Sequence, residues 1–142
     1  MKPLVLSLAV AALAGAAPLA AQTGADSAAI RATALDYAEG WYTGDSVRMA
    51  RAVHPDLAKR IVRTRDGRSV LQHMNGPQLV GGTARGFGRE TPATSRQADV
   101  EIYDIFHNVA SARVTMHEWI DYMHLARFDG RWVIVNVLWE MK

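Results

Sequence analysis

The segment IDYMHLARFDGRWVIVNVLW, residues 120–139, constrains the fold more than any other part of the chain. Asp129-Gly130 is a strong β-hairpin signal, because both residue types tolerate the left-handed backbone of a two-residue turn. The second strand is apolar at both alternating sets of positions, which are Trp132, Ile134 and Leu138 in one set and Val133, Val135, Val137 and Trp139 in the other. Because alternate residues of a strand face opposite ways, both faces of this strand are expected to be covered.

Residues 1–21 have the anatomy of a secretory signal peptide. Lys2 supplies a basic start, an apolar run follows it, and a small, alanine-rich segment ends near Ala21. A membrane anchor is the alternative, although the strongly apolar part is well short of the roughly 20 residues that span a bilayer. We therefore expect an exported protein, periplasmic or secreted, whose residues 22–142 form a single domain without a membrane attachment.

The composition of that domain excludes several kinds of partner. The chain has a formal net charge of +2 and nearly balanced acidic and basic residues, so nucleic acid is not an expected partner. There is no cysteine, and packing rather than disulfide bonding must stabilise the fold. The five histidines show no metal-ligand spacing, and neither a metal nor a cofactor is expected.

The first part of the domain has the spacing of two amphipathic helices that form a helical hairpin. Asp26 or Ser27 is the expected cap of the first helix, and Gly44 ends it. Its apolar stripe consists of Ile30, Ala34, Tyr37 and Trp41. Asp45 caps a second, shorter helix, which ends at His54-Pro55 because a residue before proline avoids helical backbone.

A small β-hairpin is predicted around Asp66-Gly67, followed by a short third helix that Asn75 caps and the glycines 81–82 end. Residues 81–95 lack periodicity and predict a surface loop. The basic residues near the hairpin are interpreted as a solvated edge strand, with an anion-binding surface as the alternative. They are Lys59, Arg60, Arg63, Arg65 and Arg68.

The remaining residues predict a four-stranded antiparallel meander. A three-residue turn at His107-Asn108, with Asn108 in the left-handed region, would give one inward face to four residues, Val100, Ile102, Asp104 and Phe106. Helices covering one side of such a sheet make an α+β domain.

The segments DYAEGWYTGDSVRMARAVHPDLAKR and DYMHLARFDGRWVIVNVLW resemble the nuclear-transport-factor-2-like superfamily of cone-shaped folds. In particular they resemble the exported proteins labelled putative lumazine-binding, through Tyr-x-x-Gly, Gly-Asp, His-Pro-Asp and Asp-Tyr-x-His-Leu before Asp-Gly-Arg-Trp. The resemblance implies a helical hairpin and a short third helix packed on a strongly curved antiparallel sheet, around a small-molecule pocket.

Ketosteroid isomerase, which shares this cone, implies roles for individual residues. Tyr37 matches its oxyanion-donating tyrosine, His124 takes the place of its protonated carboxylic acid, and Trp139 that of a pocket tryptophan. The place of the catalytic aspartate falls on Ile61, so the base for proton abstraction is missing there. His54 or Asp56 is the alternative base, although a His-Pro-Asp turn is also typical of a cap and packing element.

Polar and aromatic side chains expected inside the cone are the candidate ligand-binding residues, namely Tyr37, Trp41, His54, Tyr122, His124 and Trp139. No reaction is assigned, and the candidates for catalysis are His124, His54, Tyr37 and Asp104. We expect a protein that binds a small apolar or aromatic molecule. One alternative is an isomerase, cyclase or dehydratase that uses His124 or His54 with Tyr37, and another is a domain that fills its own pocket.

A homodimer is expected from the two faces of the last hairpin. Pairing Phe128 with Arg131 puts Tyr122 and His124 on the face that looks into the cone. The other face then carries Met123, Leu125, Trp132, Ile134 and Leu138. Burying each of these contributes about 1.5–3 kcal/mol, so a second copy packed sheet to sheet is expected to cover them. The alternative cover is the C-terminal tail or the loop 81–95.

Overall fold

The structure is a computed structural model that describes residues 19–142. The helices within this range are α1 Leu19–Thr43, α2 Ser46–Ala52 and α3 Gly76–Ala84. The strands are β1 Val53–Arg65, β2 Arg68–Met74, β3 Ala98–Phe106, β4 Val109–Met116, β5 Trp119–Phe128 and β6 Arg131–Met141. The predicted signal peptide falls on residues 1–18, which lie outside the described range, and on the first turn of α1. None of the described helices has the length and hydropathy to span a membrane.

The described strands form one six-stranded sheet in the order β2-β1-β6-β5-β4-β3. All neighbours are antiparallel except β1 and β6, which run parallel and join the small hairpin to the meander. The helices pack on one face of the curved sheet, α1 mainly against β3 and β6 and α3 against β1. The predicted α+β cone is therefore confirmed.

The Asp-Gly hairpin signals are confirmed by backbone geometry. Asp129 and Gly130 have φ of 50° and 79°, and Asp66 and Gly67 have φ of 53° and 73°. Two consecutive positive φ values define the turn whose twist matches that of the flanking strands. At the third hairpin the left-handed residue is His107, with φ of 51°, and Phe106 pairs with Val109. The turn there has two residues, so the predicted three-residue turn is wrong.

A β-bulge at Val135 explains why the last strand is apolar at both sets of positions. His124 pairs with Asn136 and Leu125 pairs with Ile134, so Val135 has no partner in β5. The extra residue switches the alternation, and four apolar side chains turn toward the helices, namely Trp132, Ile134, Val137 and Trp139. One face of β6 is thus covered within a single copy of the chain.

This switch contradicts the predicted faces of the last hairpin. Met123, Leu125, Trp132 and Ile134, expected outside, are buried in the core. Tyr122 and His124, expected inside, are exposed on the opposite side. We call that side the outer face, and its exposed apolar residues include Val62, Leu71, Tyr122 and Leu138. The predicted pairing of Phe128 with Arg131 is confirmed. This pairing determines which residues of β5 and β6 share a face only between the turn and the bulge.

A second bulge, between Ile102 and Asp104, changes the register of β3. Val100 and Ile102 face the core as predicted, and they pair with Val114 and Ala112. Beyond the bulge Asp104 pairs with Ser111 and is exposed, so its predicted inward position is wrong.

The helix caps were predicted better than the helix ends. Asp45 accepts a hydrogen bond from the backbone N–H of Arg48 at 2.9 Å, and Asn75 forms a capping box with Gln78. In contrast, α1 begins before Asp26, and α3 continues through Gly81 and Gly82 to Ala84. The predicted loop at 81–95 therefore starts only after residue 84. Gly82 is buried within α3, and the ring of Phe87 lies beside it.

Candidate functional site

A cavity of about 160 Å³ lies between α1, α3 and the sheet. Its aromatic walls come from Tyr37, Trp41, Trp119 and Trp139. Leu79 and three methionines complete the apolar lining, and these are Met74, Met116 and Met141. Lys59 is the charged residue in this lining. The surface of the cavity is therefore apolar, and the amine of Lys59 lies behind that surface beside Tyr37 and Asp121.

Lys59 belongs to a buried polar cluster that also contains Tyr37, Trp119 and Asp121. Nζ of Lys59 donates to the hydroxyl of Tyr37 at 2.7 Å and to Oδ1 of Asp121. The Tyr37 hydroxyl donates to Oδ2 of Asp121 at 3.2 Å, and Nε1 of Trp119 donates to the same oxygen at 3.0 Å. The carboxylate of Asp121 is fully buried, yet its charge is balanced by one cation and by two neutral donors.

Strand alternation and strand pairing bring this polar cluster together. Lys59 lies between Leu57 and Ile61 on the buried face of β1, and its partner in β6 is Val137. Asp121 shares the buried face of β5 with Met123 and pairs with Trp139. Tyr37 reaches both from the apolar stripe of α1.

Burial and charge shift the pKa of two groups in this cluster. Loss of solvent lowers the pKa of the Lys59 amine, and the charge and hydrogen bond of Asp121 oppose that effect. Burial also raises the pKa of the Tyr37 phenol well above its ordinary value, and the nearby Asp121 charge raises it further. Tyr37 is consequently a neutral donor throughout the physiological pH range.

The tryptophans meet edge to face around the cavity. The ring centroid of Trp119 lies 6.2 Å from that of Trp41 and 6.0 Å from that of Trp139, with interplanar angles of 83° and 70°. Nζ of Lys59 lies 4.6 Å from the centroid of the Trp139 ring. At this distance the ring quadrupole attracts the ammonium, so the amine is held beside an aromatic wall.

The structure places three of the predicted ligand-binding residues at the cavity, namely Tyr37, Trp41 and Trp139. Tyr122 and His124 lie on the outer face, so the expectation that they look into the cone is wrong. β5 directs its alternate residues Asp121, Met123 and Leu125 inward, and the Val135 bulge puts Val137 and Trp139 of β6 on that same inner side. Nδ1 of His124 is 3.2 Å from the amide nitrogen of Asn136. His124 and Asp104 line an open groove on the outer face rather than the cavity.

His54 does not reach the cavity either. Its ring stacks on Phe128 with the centroids 4.8 Å apart, and its Nδ1 accepts a hydrogen bond from the backbone N–H of Asp56. The His-Pro-Asp turn thus acts as a packing element at the junction of α2 and β1. The pairing of Tyr37 with His54 or His124 in one site is not found in the structure.

Sequence reasoning missed Lys59, Trp119 and Asp121. Lys59 was interpreted as part of a solvated edge strand, but β1 is an inner strand and β2 forms the edge. The signal that was available is alternation, because Lys59 and Asp121 each stand two residues from a buried apolar neighbour in their strand. Among the residues that the structure describes, no three His, Cys, Asp or Glu side chains are grouped to hold a metal ion.

Several solved structures share this fold. A nuclear-transport-factor-2-like protein of unknown function from Silicibacter pomeroyi DSS-3 has a TM-score of 0.64 and 14% identity, covering 84% of this chain and 98% of that chain. A similar protein from Shewanella baltica OS155 has a TM-score of 0.64 and 21% identity, covering 84% and 95%. A hexachlorocyclohexane dehydrochlorinase, LinA type 2, has a TM-score of 0.57 and 11% identity, covering 87% and 89%.

No curated protein matches the chain in sequence. A family model described as "Putative lumazine-binding" matches residues 25–140, which include both helices of the hairpin and all six strands. The chain therefore belongs to the putative lumazine-binding family, on the nuclear-transport-factor-2-like fold.

Proposed function

We propose that the protein binds one small, apolar, ring-shaped molecule in the cavity. The observation that carries this proposal is a partly open cavity with tryptophan, leucine and methionine walls, behind which the polar cluster of Lys59 and Asp121 lies. Such a combination is the usual form of a small-molecule site. The volume of about 160 Å³ is close to the roughly 150 Å³ that hold a benzene molecule in a protein interior. The family's description also favours an aromatic ligand.

The polar cluster would orient such a molecule. An ammonium has three donor hydrogens, and Lys59 directs two of them to Tyr37 and Asp121. The third is available to an acceptor on the ligand, such as a carbonyl oxygen or a ring nitrogen. A ligand with one acceptor at the edge of an apolar ring therefore fits the cavity better than a pure hydrocarbon.

An isomerase, cyclase or dehydratase remains the alternative, but its predicted acid and base are not in the cavity. A catalytic base must come within hydrogen-bond reach of the proton that it removes. His124 lies on the outer face and His54 packs on Phe128. A dehydrochlorinase with the same fold shows only that the fold accommodates an enzyme. We therefore propose binding as the primary function.

Tryptophan fluorescence tests the proposal directly. Three of the four tryptophans line the cavity, while Trp132 lies apart and donates to Asp26. Titration with benzyl alcohol should change the emission in a saturable way, whereas glycerol, which offers hydroxyls without a ring, should not. Native mass spectrometry of protein from its source should show one retained small molecule per chain. Absence of both signals would contradict a binding function and support a cavity that closes on its own side chains.

We also propose that the protein is exported and dimeric. The predicted signal peptide supports export, and mass analysis of the mature chain would test it by revealing cleavage near Ala21. The outer face supports the dimer, because Val62, Leu71, Tyr122 and Leu138 are about half exposed on it. Such a patch is typical of a protein–protein contact.

A further inference from the structure

Lysine is rare in this chain, and one lysine is buried at the cavity. The sequence has three lysines, Lys2, Lys59 and Lys142, against thirteen arginines. Arginine would supply the positive charge equally well, but its guanidinium stays protonated and does not act as a nucleophile. Lys59 is 7% exposed, whereas Lys142 is exposed at the end of β6.

We propose that Lys59 is a reactive amine and that the ligand is a small aldehyde or ketone, which Lys59 binds as a reversible imine. The inference rests on the proposed function, since it names the chemical class of the molecule in the same cavity. Three features of the structure support it. Lys59 lines the cavity, a proton acceptor contacts its amine, and the aromatic ring of Trp139 lies beside that amine.

The polar cluster supplies the proton transfers that imine formation requires. The Lys59 ammonium passes one proton to the carboxylate of Asp121, and the neutral amine adds to the carbonyl carbon to form a carbinolamine. The carbinolamine then loses water: its C–N bond becomes a C=N bond, and the carbonyl oxygen leaves together with the two hydrogens that the neutral amine carried. The products are a neutral imine, water and a protonated Asp121. The Tyr37 hydroxyl, 2.7 Å from Nζ, can donate to the carbonyl oxygen during the addition.

The surroundings of Lys59 favour its neutral form more than those of an exposed lysine. Burial lowers the pKa of its amine, and desolvation of a lysine in an apolar pocket is a known route to an amine nucleophile. The cavity also limits the access of water that would hydrolyse the imine. The arrangement therefore combines a nucleophile, a proton acceptor and an apolar compartment within a few side chains.

Reductive trapping tests the inference. The protein is incubated near neutral pH with benzaldehyde and cyanoborohydride, which reduces an imine to a stable secondary amine. Intact mass should increase by one benzyl group per chain, and peptide mapping should place it on Lys59. Lys142 is the internal control, and peptide mapping separates the N-terminal amine, which is less basic than a lysine and reacts near neutral pH. We expect more adduct on Lys59 than on Lys142, because burial favours the neutral amine at Lys59. Equal labelling of Lys59 and Lys142, or labelling of Lys142 alone, would overturn the inference.

The variant Lys59→Arg keeps the charge but cannot form an imine, and it should lose the specific adduct. If this variant does not fold, the comparison of Lys59 with Lys142 in the unaltered protein decides the outcome. Benzyl alcohol, which lacks the carbonyl, separates this inference from the proposed function. Saturable binding of benzyl alcohol without trapping of benzaldehyde would refute the imine and leave the binding function intact. Failure of both ligands would refute both.

Discussion

Lys59 and Asp121 form an ion pair in which both charged side chains are buried. The side chain of Asp121 is 0% exposed and that of Lys59 is 8% exposed. Taking two charges out of water costs several kcal/mol per ion, and only good geometry with further hydrogen bonds offsets that cost. Tyr37 and Trp119 supply those bonds here. The pair is therefore expected to make the fold sensitive to the loss of either partner.

Removing one charge of this pair should destabilise the protein more than removing both. Lys59→Met and Asp121→Asn should each lower the free energy of unfolding by about 3–5 kcal/mol, because a buried partner is left uncompensated. The double variant should recover at least half of the summed loss. Urea denaturation of the unaltered protein, the two single variants and the double variant measures this double-mutant cycle. Arg51→Met, which affects a half-exposed ion pair with Asp36, is the control and should change little. Simple additivity of the two losses would show that the pair is not coupled.

The stability contributed by Tyr37 should fall at alkaline pH. Burial and Asp121 raise the pKa of Tyr37 well above 10.0, whereas in the unfolded chain the phenol ionises near that value. Above pH 10.0 the unfolded chain then holds fewer protons than the folded one, so stability decreases as the pH rises. Lys59 has the opposite effect on stability. Because its pKa is lowered in the folded protein, its contribution to the free energy of unfolding increases as the pH rises toward 10.5, so the two effects must be separated.

The variant Tyr37→Phe separates the contribution of Tyr37 to alkaline stability from that of Lys59. The difference in unfolding free energy between the unaltered protein and this variant should shrink as the pH rises through 10.0, as measured by urea denaturation at a series of pH values. The contribution of Tyr42, whose pKa is also raised, is common to both proteins and cancels. Tyr103→Phe, at a half-exposed position, is the control and should give a constant difference. A constant difference for Tyr37→Phe would argue that its hydroxyl is not closed off from water.

Filling the cavity should prevent ligand binding without unfolding the protein. Leu79 is 2% exposed and lines the cavity, so Leu79→Phe places extra volume there. We expect binding of benzyl alcohol to weaken by about tenfold or more, which corresponds to roughly 1.4 kcal/mol, as measured by tryptophan fluorescence. Leu138→Phe adds the same volume on the outer face and should leave the affinity unchanged. Equal affinities of the two variants would place the ligand elsewhere.

Because of the Val135 bulge, lysine substitutions at two residues of β6 should differ strongly in their effect on stability. In an unbroken strand Ile134 and Leu138 would share a face, but here Ile134 is 0% exposed and Leu138 is 51% exposed. Ile134→Lys should cost roughly 4 kcal/mol or more, because it buries an unpaired charge in the core. Leu138→Lys, compared at a protein concentration at which both proteins are monomeric, should change the unfolding free energy by less than about 0.5 kcal/mol. Thermal or urea unfolding of the two variants measures this contrast, and similar losses would mean that the bulge is misplaced.

The outer face should control self-association. Leu138→Glu places a charge in the patch that we propose as the dimer contact, and it should shift sedimentation from dimer to monomer. Val47→Glu is matched in chemistry and lies on α2, away from the sheet, at a residue that is 74% exposed. It should not alter the sedimentation coefficient. A protein that is monomeric before substitution would exclude this contact.

Local signals in the sequence predicted the local structure. The Asp66-Gly67 and Asp129-Gly130 turns and the caps at Asp45 and Asn75 were all correct, because each depends on a few neighbouring atoms. The stripe of α1 was also correct, and it brought Tyr37 and Trp41 to the cavity. Element type and capping were therefore accessible from residue patterns alone.

The faces of the strands were not accessible in the same way. No local pattern marks Val135 as an extra residue, because a valine suits a regular strand equally well. One unpaired residue nevertheless inverts every side chain of β6 beyond it, so Val137 and Trp139 face the core while Tyr122 and His124 of β5 face outward. Lys59 and Asp121 were missed because a charged residue is ordinarily solvated, and only the tertiary fold provides each with the other.

The position of β6 between β1 and β5 has a consequence for assembly of the domain. β6 is the last strand in chain order, yet it holds together two parts of the sheet that share no other strand pairing, β2-β1 and β5-β4-β3. Until β6 has been synthesised and released, the helical hairpin with β1 and β2 has no partner strand to join. Such distant pairing slows folding. Premature termination before residue 131 would consequently leave β1-β2 and β5-β4-β3 without any strand pairing between them, joined only through the packing of α1 on β3 and β4.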